Sequence, residues 1–237
     1  MGVGPERNDL LALLPERVKK RVFPLLREVN LPLGQEIYAA GQEEKHVYFP
    51  ADCIVSLLYV MLDGHSAEIS VVGREGIVGI SVFMGGGSTP SQAVVQSAGT
   101  AYRLPAAELK REFNDDEGLR VLMLRYTQAL ITQMSQTAVC NRHHTINQQL
   151  CRWLLLSLDR LPTNQLTMTQ ELIANMLGVR REGVTEAACR LQNLGVIRYQ
   201  RGRITVLDRP RLEKLSCECY AVVKTETDRL ATYAKQL

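Results

Sequence analysis

The chain has 237 residues, 46% hydrophobic and 22% charged, with six cysteines and a formal net charge of +3. That length suits two modest domains, and the composition is that of a globular protein, not a disordered or fibrous one. No run approaches the ~18 apolar residues of a membrane span, and Met1 to Asp9 lacks a signal-peptide pattern, so a cytoplasmic chain without membrane contact is expected.

Charge divides unevenly: residues 1–140 carry 13 basic and 16 acidic side chains, and residues 141–237 carry 15 and 9. The carboxyl-terminal part is therefore the one suited to phosphate. Cys53, Cys140, Cys151, Cys189, Cys217 and Cys219 include no Cys-x-x-Cys pair. Reduced, mostly buried thiols are expected, with no metal site and no cofactor.

In chain order, residues 1–28 form a helical segment in which leucines recur from Leu10 to Leu26 around Pro15 and Pro24. Residues 29–113 change texture to short β-branched and aromatic runs punctuated by glycine, proline or aspartate, including CIVSLLYVMLDG, AEISVVGREG and IVGISVFMGGG. That spacing predicts a small antiparallel barrel or roll, with a hairpin turn at Asp63-Gly64. The glycine-rich loop MGGGSTPSQ, Met84 to Gln92, reads as a flexible tip in preference to an anion cradle.

Residues 114–144 form a long helix and hinge. Leu119, Leu122, Met123, Tyr126, Leu130, Gln133 and Thr137 repeat at threes and fours, which predicts a seam for a partner helix. His143 and His144 stand at its end. Adjacent histidines point in different directions, so a polar hinge is expected there in preference to a metal or haem site with Cys140.

Residues 145–237 open with an amphipathic helix over Thr145 to Leu161 that carries Trp153. Next, Leu172, Ile173, Met176 and Leu177 mark a short helix that Thr169 can cap. Gly178 breaks it, and Val184, Ala187, Ala188, Leu191 and Leu194 mark a second helix. Ala174, Gly178 and Val184 are small where two helices must cross closely, the spacing of a helix-turn-helix. The polar face left over presents Arg181, Glu182, Thr185 and Glu186 as base-reading candidates, with Arg190 and Gln192 one turn on. Val196 to Tyr199 and Arg203 to Leu207 form a hairpin with a basic tip. Thr169, Gln170, Arg180, Arg190, Arg201 and Arg203 are the phosphate candidates. Asp208 caps a terminal helix, and Cys217 and Cys219 are expected on its different faces as ordinary thiols.

From Gln149 to Leu215 the chain resembles the winged helix-turn-helix of the bacterial Crp/Fnr regulators, the family of the cyclic-AMP receptor protein and the fumarate and nitrate reduction regulator. Arg181-Glu182 followed by Val184 matches the family's recognition-helix signature Arg-Glu-Thr-Val, with Gly183 for threonine. Arg180 replaces the usual serine cap, and Glu186 stands where the cyclic-AMP receptor has arginine. The resemblance extends to the family's cyclic-nucleotide-binding-like β-roll and implies an α+β fold. It also implies a homodimeric transcription regulator, not an enzyme, with double-stranded DNA, RNA polymerase and an unidentified small-molecule effector as partners. Ile80 follows Gly79 where nucleotide-binding members have a ribose-holding glutamate, and the loop to Gln92 lacks their phosphate-binding arginine, so cyclic AMP is not the expected effector. No cysteine precedes Cys53, which argues against the family's iron-sulfur cluster. A cyclic-nucleotide-binding regulatory protein is the alternative. A cupin-type metalloenzyme ranks lower, because His46 and His65 are the only histidines on the roll.

Overall fold

The computed structural model describes residues 4–234. Helices α1 (Asp9–Ala12) and α2 (Glu16–Val22) precede a roll of seven strands: β1 (Arg27–Leu31), β2 (Glu36–Tyr38), β3 (His46–Pro50), β4 (Ile54–Val60), β5 (Ser66–Val72), β6 (Gln92–Ser97) and β7 (Gly99–Pro105). They form two antiparallel sheets in the orders β1-β7-β3 and β2-β6-β4-β5. Val47 and Phe49 of β3, Tyr102 and Leu104 of β7, and Val55 and Leu57 of β4 alternate inward and share one core.

The run IVGISVFMGGG, expected as a strand, instead holds the one-turn helix α3 (Ser81–Met84). Gly79 (φ +106°) and Gly85 (φ +91°) bracket it in conformations that favour glycine. Val82 and Phe83 are buried side by side. A single apolar helical turn has the same local pattern as a buried strand.

Helix α4 (Ala106–Asp115) leads into α5 (Glu117–His143), whose 27 residues span about 40 Å. Between them Asp116 is extended and accepts from the Leu119 amide at 3.1 Å, capping α5. The Arg17 guanidinium, donating to it at 2.8 Å, holds the Asp116 carboxyl well below the usual carboxylate range. Arg21 forks onto Glu112 of α4, so α2 is pinned to α4 and to the cap of α5.

The predicted dimer seam requires correction. Leu119, Leu122, Met123, Tyr126 and Leu130 are buried in the chain's own roll. Tyr126 Oη donates to Ile77 O at 3.2 Å and Gln133 Nε2 to Val71 O at 2.9 Å. Thr137 accepts from Arg152 at 2.7 Å. The opposite face carries Leu124, Ile131 and Val139, each 47% exposed, interleaved with the exposed Gln128, Ser135 and Ala138.

Helix α6 (Ile146–Leu158) starts at a capping box of Thr145 and Gln148. Then come β8 (Gln165–Thr167), α7 (Gln170–Leu177), α8 (Arg181–Asn193), β9 (Ile197–Gln200), β10 (Arg203–Val206), α9 (Arg209–Leu215) and α10 (Glu218–Ala234). The expected terminal helix is thus two helices, broken at Ser216, and α10 packs along α5. Among the described residues no helix is long and apolar enough to cross a membrane.

The second domain docks on the roll through buried polar groups. Arg160, just past α6, donates to Glu75 at 2.7 Å and to Gln133 at 2.8 Å. Trp153 Nε1 donates to Glu68 of β5 at 3.1 Å, Ser56 bonds the other Glu68 oxygen and also Gln96, and Gln96 donates to Ser157 at 3.3 Å. A single Ser56 proton cannot serve both Glu68 and Gln96. A protonated Glu68 donating to Ser56 satisfies every link.

Burial pushes the Glu68 carboxyl up to about 7, against hydrogen bonds from Ser56 and Trp153 and the charges of Arg152 and Arg160. The native chain therefore binds more protons than the unfolded one between pH ~4.5 and ~7. Stability from this group is full below ~4.5, falls as pH rises to ~7, and is level beyond. Glu68→Gln should gain stability at pH 8, by up to about 3 kcal/mol for a carboxyl raised from its ordinary 4.5 to about 7. It should also flatten the pH 5–7 slope of thermal stability relative to the parent. Parallel Tm-against-pH curves for the two proteins would contradict this assignment.

Candidate nucleic-acid interface

The helix-turn-helix forms where the sequence places it, for local reasons. Thr169 Oγ1 accepts from the Leu172 amide at 3.2 Å and starts α7. Gly178, left-handed at φ +64°, ends it, and the Val179 amide closes on Ala174 O at 3.0 Å. Ala174 and Val184 are buried where α7 meets α8, and Val184, Ala187, Ala188 and Leu191 fix the inner face of α8.

Arg181, Glu182, Glu186 and Arg190 are exposed on the outer face of α8. Thr185 is half-buried, its hydroxyl donating to Gln170 Oε1 at 2.7 Å, so it ties the two helices together. Gln192 is engaged differently from the expectation: its Oε1 accepts from the Tyr199 amide at 2.8 Å and anchors β9. Arg180 occupies the cap position of α8 without a side-chain cap bond. A Cβ at Gly183 would lie 2.7 Å from Ile146 Cδ1. The glycine that replaces the family's threonine thus admits the first residue of α6 against the recognition helix.

The wing is a three-stranded sheet in the order β8-β10-β9. Its tip is a two-residue turn with both central residues left-handed, Arg201 at φ +51° and Gly202 at φ +77°. Tyr199 Oη donates to Met168 O at 2.7 Å and braces the wing against the entry to α7. Arg201 and Arg203 are exposed, as is Arg198 of β9, which the sequence reading omitted. Strand alternation was the available signal: Arg198 and Gln200 face out while Ile197 and Tyr199 pack in.

The amino-terminal end of α8 faces the roll. Arg180, Arg181 and Glu182 line a cleft of about 1060 Å³ whose other wall is Met61, Asp63, His65 and Ala67 of the β4–β5 hairpin. Gly178 approaches Ala67 so closely that an added Cβ would sit 3.4 Å from the alanine methyl.

In the roll, a pocket of about 410 Å³ is lined by Tyr38, Gln42, Glu43, Glu44, Lys45 and His46. Glu44 is buried, with its amide donating to Gly87 O at 2.9 Å and Oε2 only 2.9 Å from where a Gly79 Cβ would stand. Burial raises its carboxyl above the usual range. The Glu44 carboxyl fills the corner of the Gly79 turn and offers an anionic ligand no compensating charge there.

The structure also joins residues that the sequence kept apart. Cys217 lies in the break between α9 and α10 and Cys219 in the first turn of α10. Both sulfurs meet Cys140 and His144 at the end of α5, and all four ligand atoms lie within 4.8 Å of one another. The expectation that these two cysteines occupy different faces of one helix fails because Ser216, extended at ψ 168°, interrupts that helix.

The family model of the cyclic nucleotide-binding domain matches residues 28–116, and that of the Crp-like helix-turn-helix domain matches residues 148–215. No curated protein matches the chain. Among solved structures, a transcriptional regulator of the Crp/Fnr family from Eubacterium rectale is similar with a TM-score of 0.69 at 19% identity, over 89% of this chain and 98% of that one. FixK2 from Bradyrhizobium japonicum is similar with a TM-score of 0.68 at 17% identity, over 81% and 98%. The c-di-GMP responsive regulator CLP of Xanthomonas campestris follows at 0.63 and 14%, over 81% and 99%. At these identities the likeness shows the fold. Taken with the two domain matches, which together cover well over half the sequence, it leads to one conclusion: the chain belongs to the Crp/Fnr family of transcription regulators.

Proposed function

We propose that the protein is a homodimeric, sequence-specific DNA-binding regulator whose two recognition helices enter successive major grooves of a near-palindromic operator. The observation that carries this reading is the exposed polar face of α8 set beside a braced, arginine-tipped wing. Arg181 suits the O6/N7 edge of guanine, and Glu182 and Glu186 suit the cytosine amino group. Thr185 holds Gln170 and sets α7 against α8 behind this face. Thr169, Gln170, Arg180, Arg190, Arg198, Arg201 and Arg203 meet phosphates, which set register and affinity without reading sequence. Two-fold symmetry spaces the half-sites by about 34–36 Å.

The dimer forms through the outward face of α5, where Leu124 and Ile131 stand one heptad apart and Val139 extends the stripe. The closed cleft between α8 and the β4–β5 hairpin is too small for a duplex, which supports a resting state that opens at the hinge around residues 141–145 before DNA enters. The effector that drives this opening is not a cyclic nucleotide, a reading supported by Glu44 beside Gly79. RNA polymerase is the partner of the operator-bound dimer.

Arg181→Ala should cost about 1–3 kcal/mol on the selected operator and little on random duplex. Arg201→Ala should weaken both alike and lower the salt slope by about one ion. Equal losses of the two variants on random duplex would reverse these roles. Leu124→Asp with Ile131→Asp should turn the sedimenting dimer into a monomer, and a dimer that survives would exclude this seam. Calorimetric titration with cyclic AMP and cyclic GMP should give no saturable heat, and micromolar binding of either would refute the effector reading.

A further inference from the structure

We propose that Cys140, His144, Cys217 and Cys219 form a tetrahedral zinc site that fastens the end of the long helix to the break between the last two helices. Cys140 Sγ lies 3.6 Å from Cys217 Sγ, and Cys219 Sγ lies 3.6 Å from His144 Nδ1. A tetrahedron with Zn–S of about 2.3 Å and Zn–N of about 2.0–2.1 Å has edges of roughly 3.5–3.8 Å, which these two distances match, and all four ligand atoms lie within 4.8 Å of one another. A disulfide would need ~2.05 Å between sulfurs. A polynuclear iron-sulfur cluster distributes its thiolates over separate irons and needs them farther apart than the 4.8 Å limit seen here.

The surroundings fit a metal better than idle thiols. Cys140, Cys217 and Cys219 are 0%, 6% and 1% exposed and form a cluster separate from both hydrophobic cores. Cys140 and His144 are four residues apart, one helical turn, so they project to the same side at the end of α5. His144 turns Nδ1 inward while Nε2 lies 3.4 Å from Glu218 Oε2, the carboxylate–histidine arrangement that fixes a ligating imidazole. Gln149 Nε2 donates to His144 O at 2.9 Å and holds the backbone of that residue. Zinc bound by three thiolates and a neutral histidine carries a net charge of −1, and the buried Arg152, which acts electrostatically on Cys140 and Cys219, supplies the compensating cation. Binding displaces the protons that the thiols still carry to solvent and changes no oxidation state.

Four protein ligands leave no open position, so the site is structural and not catalytic. Its place gives it a further role. It closes a loop from the hinge, through the whole DNA-binding domain, back to the hinge, and so limits how far that domain can swing on α5.

The reduced full-length protein, purified without added metal, should contain about one zinc per chain. Cys189→Ser, at the exposed cysteine of the recognition helix, should keep it, and Cys217→Ser with Cys219→Ser should lose it. Glu218→Gln should weaken zinc about tenfold with the ligand set intact. Cobalt substitution of the unaltered chain needs no variant to fold and should give intense thiolate-to-cobalt bands with tetrahedral d–d absorption. An octahedral cobalt spectrum would overturn the proposal. So would failure of the reduced chain to take zinc from a chromogenic chelator, equal zinc in the cysteine double variant, or a Cys140–Cys217 disulfide in place of metal.

Discussion

The architecture depends on one helix satisfying three neighbours at once. Over about 40 Å, α5 gives Leu119, Leu122, Met123, Tyr126 and Leu130 to the roll, lies against α10, and leaves Leu124, Ile131 and Val139 uncovered. A helix has only ~100° per residue with which to divide these duties, so the faces cannot be exchanged. Asp116, held by Arg17 and Arg21, fixes where the helix begins and thereby its rotation. Everything that relates the roll to the helix-turn-helix is referred to this axis.

That geometry explains how a signal could travel without a long pathway of contacts. Trp153 and Arg160 attach the second domain to β5 and α5 directly, and the turn before α8 rests on the same β5 near Ala67. Roll and recognition helix therefore share a strand. In the proposed switch, a change in the set of that strand would reach both.

Much of this was legible in the sequence because it is local. Thr169, Gly178, Ala174 and Val184 announce the helix-turn-helix through capping, a left-handed residue and close helix crossing, each decided within a few residues. The roll was legible as a class, but α3 was mistaken for a strand because one buried turn has no period to display. The burial of the expected α5 seam in the chain's own roll escaped the sequence for a different reason. Periodicity reveals how many stripes a helix has, not which neighbour claims each. The meeting of Cys140 and His144 with Cys217 and Cys219 needs the whole second domain to fold back on the hinge, so no window of sequence contains it.

The chain of polar groups running from Trp153 through Glu68, Ser56 and Gln96 to Ser157 bears on how the two domains part. Its members are sealed from solvent, and each bond owes its strength to that dryness. Stretching the seam by a fraction of an ångström would strand several of these groups without either each other or water, an arrangement costlier than both end points. In the opening proposed above, separation would therefore proceed in a single flooding event, without a pause at intermediate angles.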